Sequence, residues 1–358
     1  MTRDTPLRAH RAVGAEYGGS PVPRPSGRTG LLVLGLVGAS GVLVLTSVMS
    51  VFVGSVSLTP GEVMAALTHP TDLIAYTTVV EMRMPRTLLG ILVGAALGAS
   101  GALAQALTRN PLADPGILGV NAGAALAVAI AIAFFGVTTI HGYVWFAFAG
   151  AFAAFVLVYA IALRGPHGAT PVRLTLVGVA LTAVFTGSGQ SLALVMPRVF
   201  DQMRFWGVGT LSDRPHGTVE FVLPFILVGL VVALLTGRAT NAIALGDERA
   251  RSMGVPVGLV RAVSALAITV LCGAATAAAG PIAFVGLMVP HAVRLFTGPD
   301  QRWVLAFSVV LAPVLLIAAD IAGRLVVWPA ELQAGVVTAF LGAPVLILLV
   351  RRAERGGV

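Results

Sequence analysis

The chain has 358 residues, 57% of them hydrophobic and 11% charged, with a net charge of +8 and a mean hydropathy of +0.94, which excludes an ordinary soluble globular domain. All 23 basic residues are arginine, so a P-loop lysine, a Schiff-base lysine and the kinase lysine are excluded as well. Any nucleotide that powers this protein therefore binds on another chain.

Residues 1–28 are polar, basic and rich in Gly and Pro, the composition of a disordered tail. The domain reading is a tail over 1–30 followed by one membrane domain over 31–352. Leu31–Val53 is long for the apolar core of a signal peptide and no convincing cleavage site follows, so it is read as span one. Span two is placed at Arg86–Leu107. Its Gly90, Gly94 and Gly98 recur every four residues, continued by Ala102, a small-residue face that lets helix backbones approach closely. Spans three and four fall at Pro115–Phe135 and Tyr143–Leu163. Span five, Leu174–Met196, carries Thr182, Thr186, Ser188, Gln190 and Ser191, and such groups at membrane depth face another helix or a water-filled path.

After span six, Val219–Leu235, the segment Gly237–Pro256 is too polar to enter lipid. Within it Gly246 breaks the chain, Asp247 is expected to cap a short helix over Asp247–Met253, Gly254 stands at its C′ position and Pro256 prevents continuation. Taken alone, this is also the pattern of an ordinary capped surface helix. Spans seven to ten follow at Val257–Ala279, Pro281–Phe296, Trp303–Ala319 and Ala334–Val350. The fold class is all-α, a polytopic membrane protein of about ten helices. Ten spans leave both termini on one side, and 17 arginines against six place that side in the cytoplasm. Arginines scattered in loops suit an anionic lipid bilayer rather than nucleic acid. The lone Cys272 excludes a disulfide framework, the histidines show no ligand spacing for a metal, and His291 reads as a packing residue because the spans hold no deep acidic pair.

Four long segments carry a resemblance. RMPRTLLGILVGAALGASGALAQALTRNPLADPGILGVNAGA (Arg83–Ala124), ALGDERARSMGVPV (Ala244–Val257), GPIAFVGLMVPHAVRLFTGPDQR (Gly280–Arg302) and ADIAGRLVVWPAELQAGVVTAFLGAPVLILL (Ala319–Leu349) resemble, in this order, the FecCD-type permeases. These are membrane subunits of ATP-binding-cassette importers for iron–siderophore, haem and vitamin B12. The resemblance implies a vitamin B12-permease-like fold and a second permease subunit, either a copy or a paralogue. It also implies two cytoplasmic ATPases that carry ATP and Mg, and an extracytoplasmic binding protein or lipoprotein. This chain itself is expected to bind no cofactor and no metal and to catalyse no reaction.

Residue by residue, the resemblance makes the loop of Leu245, Gly246, Asp247, Arg249, Ala250, Met253 and Gly254 the element that couples to the ATPases. It makes Arg83, Arg86 and Arg324 the sites that meet acidic groups of the binding protein. Snorkelling at the headgroups, or a local Asp320–Arg324 pair, is the alternative. Spans five and ten would line the translocation path at Thr186, Gln190 and Thr338, unless these residues only join helices. The implied cargo is a ferric siderophore, with haem and vitamin B12 sharing the same motifs. An ion-coupled secondary transporter would need paired membrane carboxylates, and an intramembrane hydrolase a Ser/His or acidic dyad. Neither pattern is present in the sequence.

Overall fold

The computed structural model describes residues 26–69, 72–111, 113–137, 139–164 and 171–355, so the expected tail lies outside the described residues as far as residue 25. Among the described residues there is no strand. The first helix, α1, runs Ser26–Phe52 and so takes in the last residues assigned to the tail. It exposes Leu31, Leu34, Val37, Val44 and Leu45, as a lipid-facing helix does. Two short helices follow, α2 (Pro60–Thr68) and α3 (Leu73–Tyr76). The first is fixed by a capping box, in which the Thr59 amide donates to Glu62 (2.7 Å) and the Glu62 amide to Thr59 (3.3 Å).

A π-helical turn, Thr77–Arg83, leads without a break into α4, Met84–Thr108. The helical run therefore begins at Leu73, well before the expected Arg86, and Arg83 and Arg86 lie inside it. The glycine face does what its spacing predicts. A Cβ at Gly94 would lie 2.5 Å from the Pro313 backbone, and one at Gly98 2.4 Å from the Ser308 carbonyl oxygen. One at Gly101 would lie 1.9 Å from the Gly286 carbonyl oxygen. Only hydrogen fits at these positions, and α4 becomes the buried centre of the bundle.

The chain leaves α4 at Arg109, in the left-handed region at φ 51°, and passes a 3-10 turn, Pro115–Leu118, where Asp114 accepts the Gly116 amide at 2.7 Å. Then come α5 (Val120–Phe135), α6 (Ile140–Leu163), α7 (Pro171–Val195) and a short α8 (Pro197–Trp206). Next are α9 (Thr218–Ala244), α10 (Asp247–Ser252) and α11 (Val257–Ala279). The last are α12 (Val285–Thr297), α13 (Gln301–Val326) and α14 (Ala334–Arg355). The alanine-rich inner face of α11, including Cys272, packs against α4, α9 and α6.

Among the described residues, seven helical runs are long and apolar enough to cross a membrane, and three shorter apolar helices, α5, α12 and Ala334–Leu348 of α14, hold the places of spans three, eight and ten. Span three begins later than expected because the 3-10 turn occupies its first residues. Span six continues to Ala244, which confines the polar loop to the residues after it, and span nine continues to Val326. Span eight loses its first residues to a non-helical stretch that ends at Phe284, φ 68°. Gln105 of α4 donates to the Leu287 carbonyl (3.1 Å) and reaches that of Gly286 (3.5 Å), whose intrahelical donor is missing because Pro290 has no N–H.

Candidate functional site

Two ends of one bundle carry its charged chemistry, and α4 connects them over about 37 Å at 1.5 Å per residue. At the α10 end, the chain turns sharply out of α9 at Gly246, whose φ of 117° favours glycine, and leaves α10 through Gly254, φ 78°. Between these turns Ala250 is fully buried against Ile243, Val257 and Val260. It anchors the helix from within and offers no contact surface. Leu245 and Met253 are 59% and 54% exposed, and Glu248, Arg249 and Arg251 stand out beside them, with the backbone at Gly246 and Gly254 open. The short helix stands where the sequence puts it, but ends at Ser252, with Met253 as C-cap.

Asp247 does not cap it. Gly246 is the N-cap and makes no side-chain cap, while Asp247 is the first helical residue. Its carboxylate instead accepts hydrogen bonds from Arg109 and from Arg261 at 3.0 Å. Arg109 also donates through Nε to the Ile243 carbonyl at 3.0 Å. Nearby, Asn241 of α9 donates to Asp300 at 2.7 Å and accepts the Gln301 amide at 2.7 Å, joining the α9 terminus to the α13 start. The hydrogen bond from Arg302, helped by Asn241, holds the Asp300 carboxyl at about 2 against its partial burial.

At the far end, the three arginines expected to meet a partner are turned inward. Arg83 is 5% exposed and donates to the carbonyls of Val51 and Phe52 at 3.0 Å each, and to Val56. Arg324 is 1% exposed and donates to the Ser50 (2.7 Å) and Val53 (2.8 Å) carbonyls, and its guanidinium pairs with Asp320. Together they satisfy the last carbonyls of α1, which no following turn of helix can reach. Arg86 lies bidentate on Asp320 (2.7 and 2.9 Å) and reaches Glu331 at 2.6 Å. The exposed guanidinium groups inferred from the sequence are thus corrected to a buried network, because α1 and the 327–333 loop close over them. Burial pushes the Glu331 carboxyl up, but Arg86 and Ser55 outweigh this and leave it below its ordinary value. Beside the network opens a cavity of about 670 Å³ lined by Tyr143, Trp206, Asp213, Arg214, Glu331 and Gln333.

The proposed path residues divide. Thr186 and Gln190 are exposed along α7 with Ser188, and a Cβ at Gly187 or Gly189 would meet nothing within 4 Å. Thr338 is fully buried and bonds the Gly335 carbonyl at 3.1 Å, so it is not part of that open face. Among the described residues no group of His, Cys, Asp or Glu forms a metal site. Arg109, Arg261, Asn241 and Asp300 carry geometry that the sequence reading missed. Their only signal was a basic or polar residue beside a span end, and the pairing of Arg109 with Asp247 crosses 138 positions.

Residues 42–352 match the model of the FecCD transport family. The chain is 47% identical over 315 residues to the ferric enterobactin transport system permease protein FepD of Escherichia coli (strain K12), covering 88% of this chain and 94% of the relative. It is 38% identical over 314 residues to the probable siderophore transport system permease protein YfiZ of Bacillus subtilis (strain 168), covering 87% and 94%. A solved structure described as an inward-facing metal-chelate type ABC transporter superposes with a TM-score of 0.76 at 25% identity, over 88% of this chain and 98% of that one.

Proposed function

The chain belongs to the FecCD transport family, and we propose that it is the permease subunit that passes a ferric siderophore through the cell membrane into the cytoplasm. It is a multi-pass membrane permease subunit of an ABC importer and not an enzyme. In this proposal, two separate ATPases bind ATP and Mg and dock on α10, and the termini lie with α10 in the cytoplasm. A second permease subunit, a copy or a paralogue, covers the polar face of α7. An extracytoplasmic binding protein delivers the chelate at the far end.

The observation that carries this reading is α10 itself. A helix held between two left-handed glycines, with Leu245 and Met253 exposed and Ala250 anchored beneath, presents an apolar contact that none of the described residues covers. The kinship to permeases named for ferric enterobactin and siderophores supports an iron chelate as cargo. Metal that arrives inside its chelator needs no ligand set in the permease. With Arg83 and Arg324 buried and Arg86 half-buried on Asp320 and Glu331, docking through these arginines requires their network to open, exchanging Asp320 and Glu331 for acidic groups of the binding protein.

The test is uptake of radio-iron as ferric enterobactin into vesicles holding the permease pair, its ATPases and its binding protein. Uptake that needs ATP inside and persists when ion gradients are dissipated supports the proposal. Uptake driven by an ion gradient without ATP would overturn it. Competition by haem or cobalamin, with ferric enterobactin ignored, would reassign the cargo and leave the transporter class standing.

A further inference from the structure

The coupling helix touches the rest of the chain through few groups, and one side chain reaches both it and the helix before it. Arg109 caps α4 in a left-handed conformation, which turns its guanidinium off the α4 axis. From there Nε holds the Ile243 carbonyl at the end of α9 and Nη2 holds Asp247 at the start of α10. Arg261, one turn into α11, closes on the same carboxylate oxygen. Asp247 thus joins the first turn of α10 to the ends of both α4 and α11.

What lies beyond Arg109 is stiff. Gly94 and Gly98 press α4 against the α13 backbone, and Gly101 presses it against α12, with no side chain between that could slide or repack. At its other end Arg86 bridges Asp320 of α13 and Glu331 of the 327–333 loop. A displacement that reaches Arg109 therefore moves α4 and α13 as one body and arrives at the far-end network.

We propose that Arg109 is a positioning residue of energy coupling: by holding Asp247 and the Ile243 carbonyl together, it delivers motion of α10 to α4 and through it to the network at the opposite membrane face. This rests on α10 being the ATPase-docking helix. Arg109 stands at the end of α4 and bonds polar groups, whereas the docking contact is the apolar pair Leu245 and Met253, so its loss should uncouple without undocking.

The experiment compares Arg109→Gln, Arg109→Lys, Asp247→Glu and Leu245→Asp in the complete permease–ATPase complex in vesicles, with radio-iron ferric enterobactin as the probe. It reads ATPase retained, ATP hydrolysed, iron carried per ATP and the melting temperature. Arg109→Gln is expected to retain the ATPase but carry about tenfold less iron per ATP. Arg109→Lys, which keeps the charge, should recover most of that ratio. Asp247→Glu, which pushes the carboxylate outward, should lower the ratio with the ATPase still bound. An unchanged ratio in Arg109→Gln and Asp247→Glu would overturn the proposal, and so would release of the ATPase by Arg109→Gln. Leu245→Asp tests the underlying reading separately: it should release the ATPase, and if the ATPase stays bound the docking assignment fails whatever Arg109 does.

Discussion

Burial lifts the Asp114 carboxyl to about 6, with only the Gly116 amide pulling the other way. A folded value above the unfolded one means that the folded chain binds more protons between about 4 and 6. The stabilisation is therefore complete below about 4 and is lost as pH rises through 6. Asp114→Asn keeps the cap on Gly116 without the charge. It should raise the melting temperature of the detergent-solubilised protein at pH 8 more than at pH 5, and a rise independent of pH would contradict this. Gly101 offers a test of packing at the same scale. Gly101→Ala puts a methyl group where the Gly286 carbonyl lies, and should destabilise by about 1–3 kcal/mol or more, read as a lower melting temperature. The four-residue spacing made Gly94 and Gly98 legible from sequence, but not Gly101, which stands outside that row and meets α12. Asp247, Arg83 and Arg86 were legible as charges but not as contacts, whereas the i,i+4 pair of Asp320 with Arg324, one of the two readings the sequence left open, is formed. A charged residue names its chemistry, and its partner depends on which distant helix the fold brings near.

Helix α1 touches the bundle mostly through one edge, and its C-terminal carbonyls are held by Arg83 and Arg324. Arg324→Gln removes a buried cation from two carbonyls and from Asp320. It should cost about 3 kcal/mol or more, measurable as earlier thermal loss of the monodisperse species. The same variant with native stability would show that the arginine is dispensable to the element it caps. Helix α7 poses a different question. Its Thr186, Ser188 and Gln190 stand exposed at membrane depth, where hydrocarbon would leave them unsatisfied. In the assembled transporter Q190C should react with a membrane-impermeant, charged thiol reagent, and substrate translocation should slow once it is modified. Inertness to that reagent with ready reaction towards an apolar maleimide would place this face in lipid instead. The density of polar residues in this helix was visible in the sequence. Thr338 was not separable from them, because a single threonine in an apolar span reads alike whether it bonds its own helix or a water-filled path.

Across the whole molecule, the count of apolar runs was the most legible property, since bilayer thickness and the α-helical rise fix the length of each. Spans two, six and nine run past their expected ends as helix that carries polar residues, and spans three and eight are shortened by irregular backbone, at the 3-10 turn before α5 and the left-handed Phe284 before α12. There backbone geometry, which hydropathy does not encode, decides where the helix begins. Orientation rests on the distribution of arginine. A cysteine placed at Ser252 should react only with reagent supplied from the cytoplasmic side, and one placed at Asp201 only from the opposite side. The reverse pattern would invert the topology.

Cys272 lies completely enclosed in the core beside the alanines of α11, and it is the one cysteine of the sequence. The native protein is consequently silent to aqueous sulfhydryl chemistry while folded. Any single introduced thiol then reports alone against an unmodified background, and the sudden appearance of a second reactive group marks the moment the bundle comes apart.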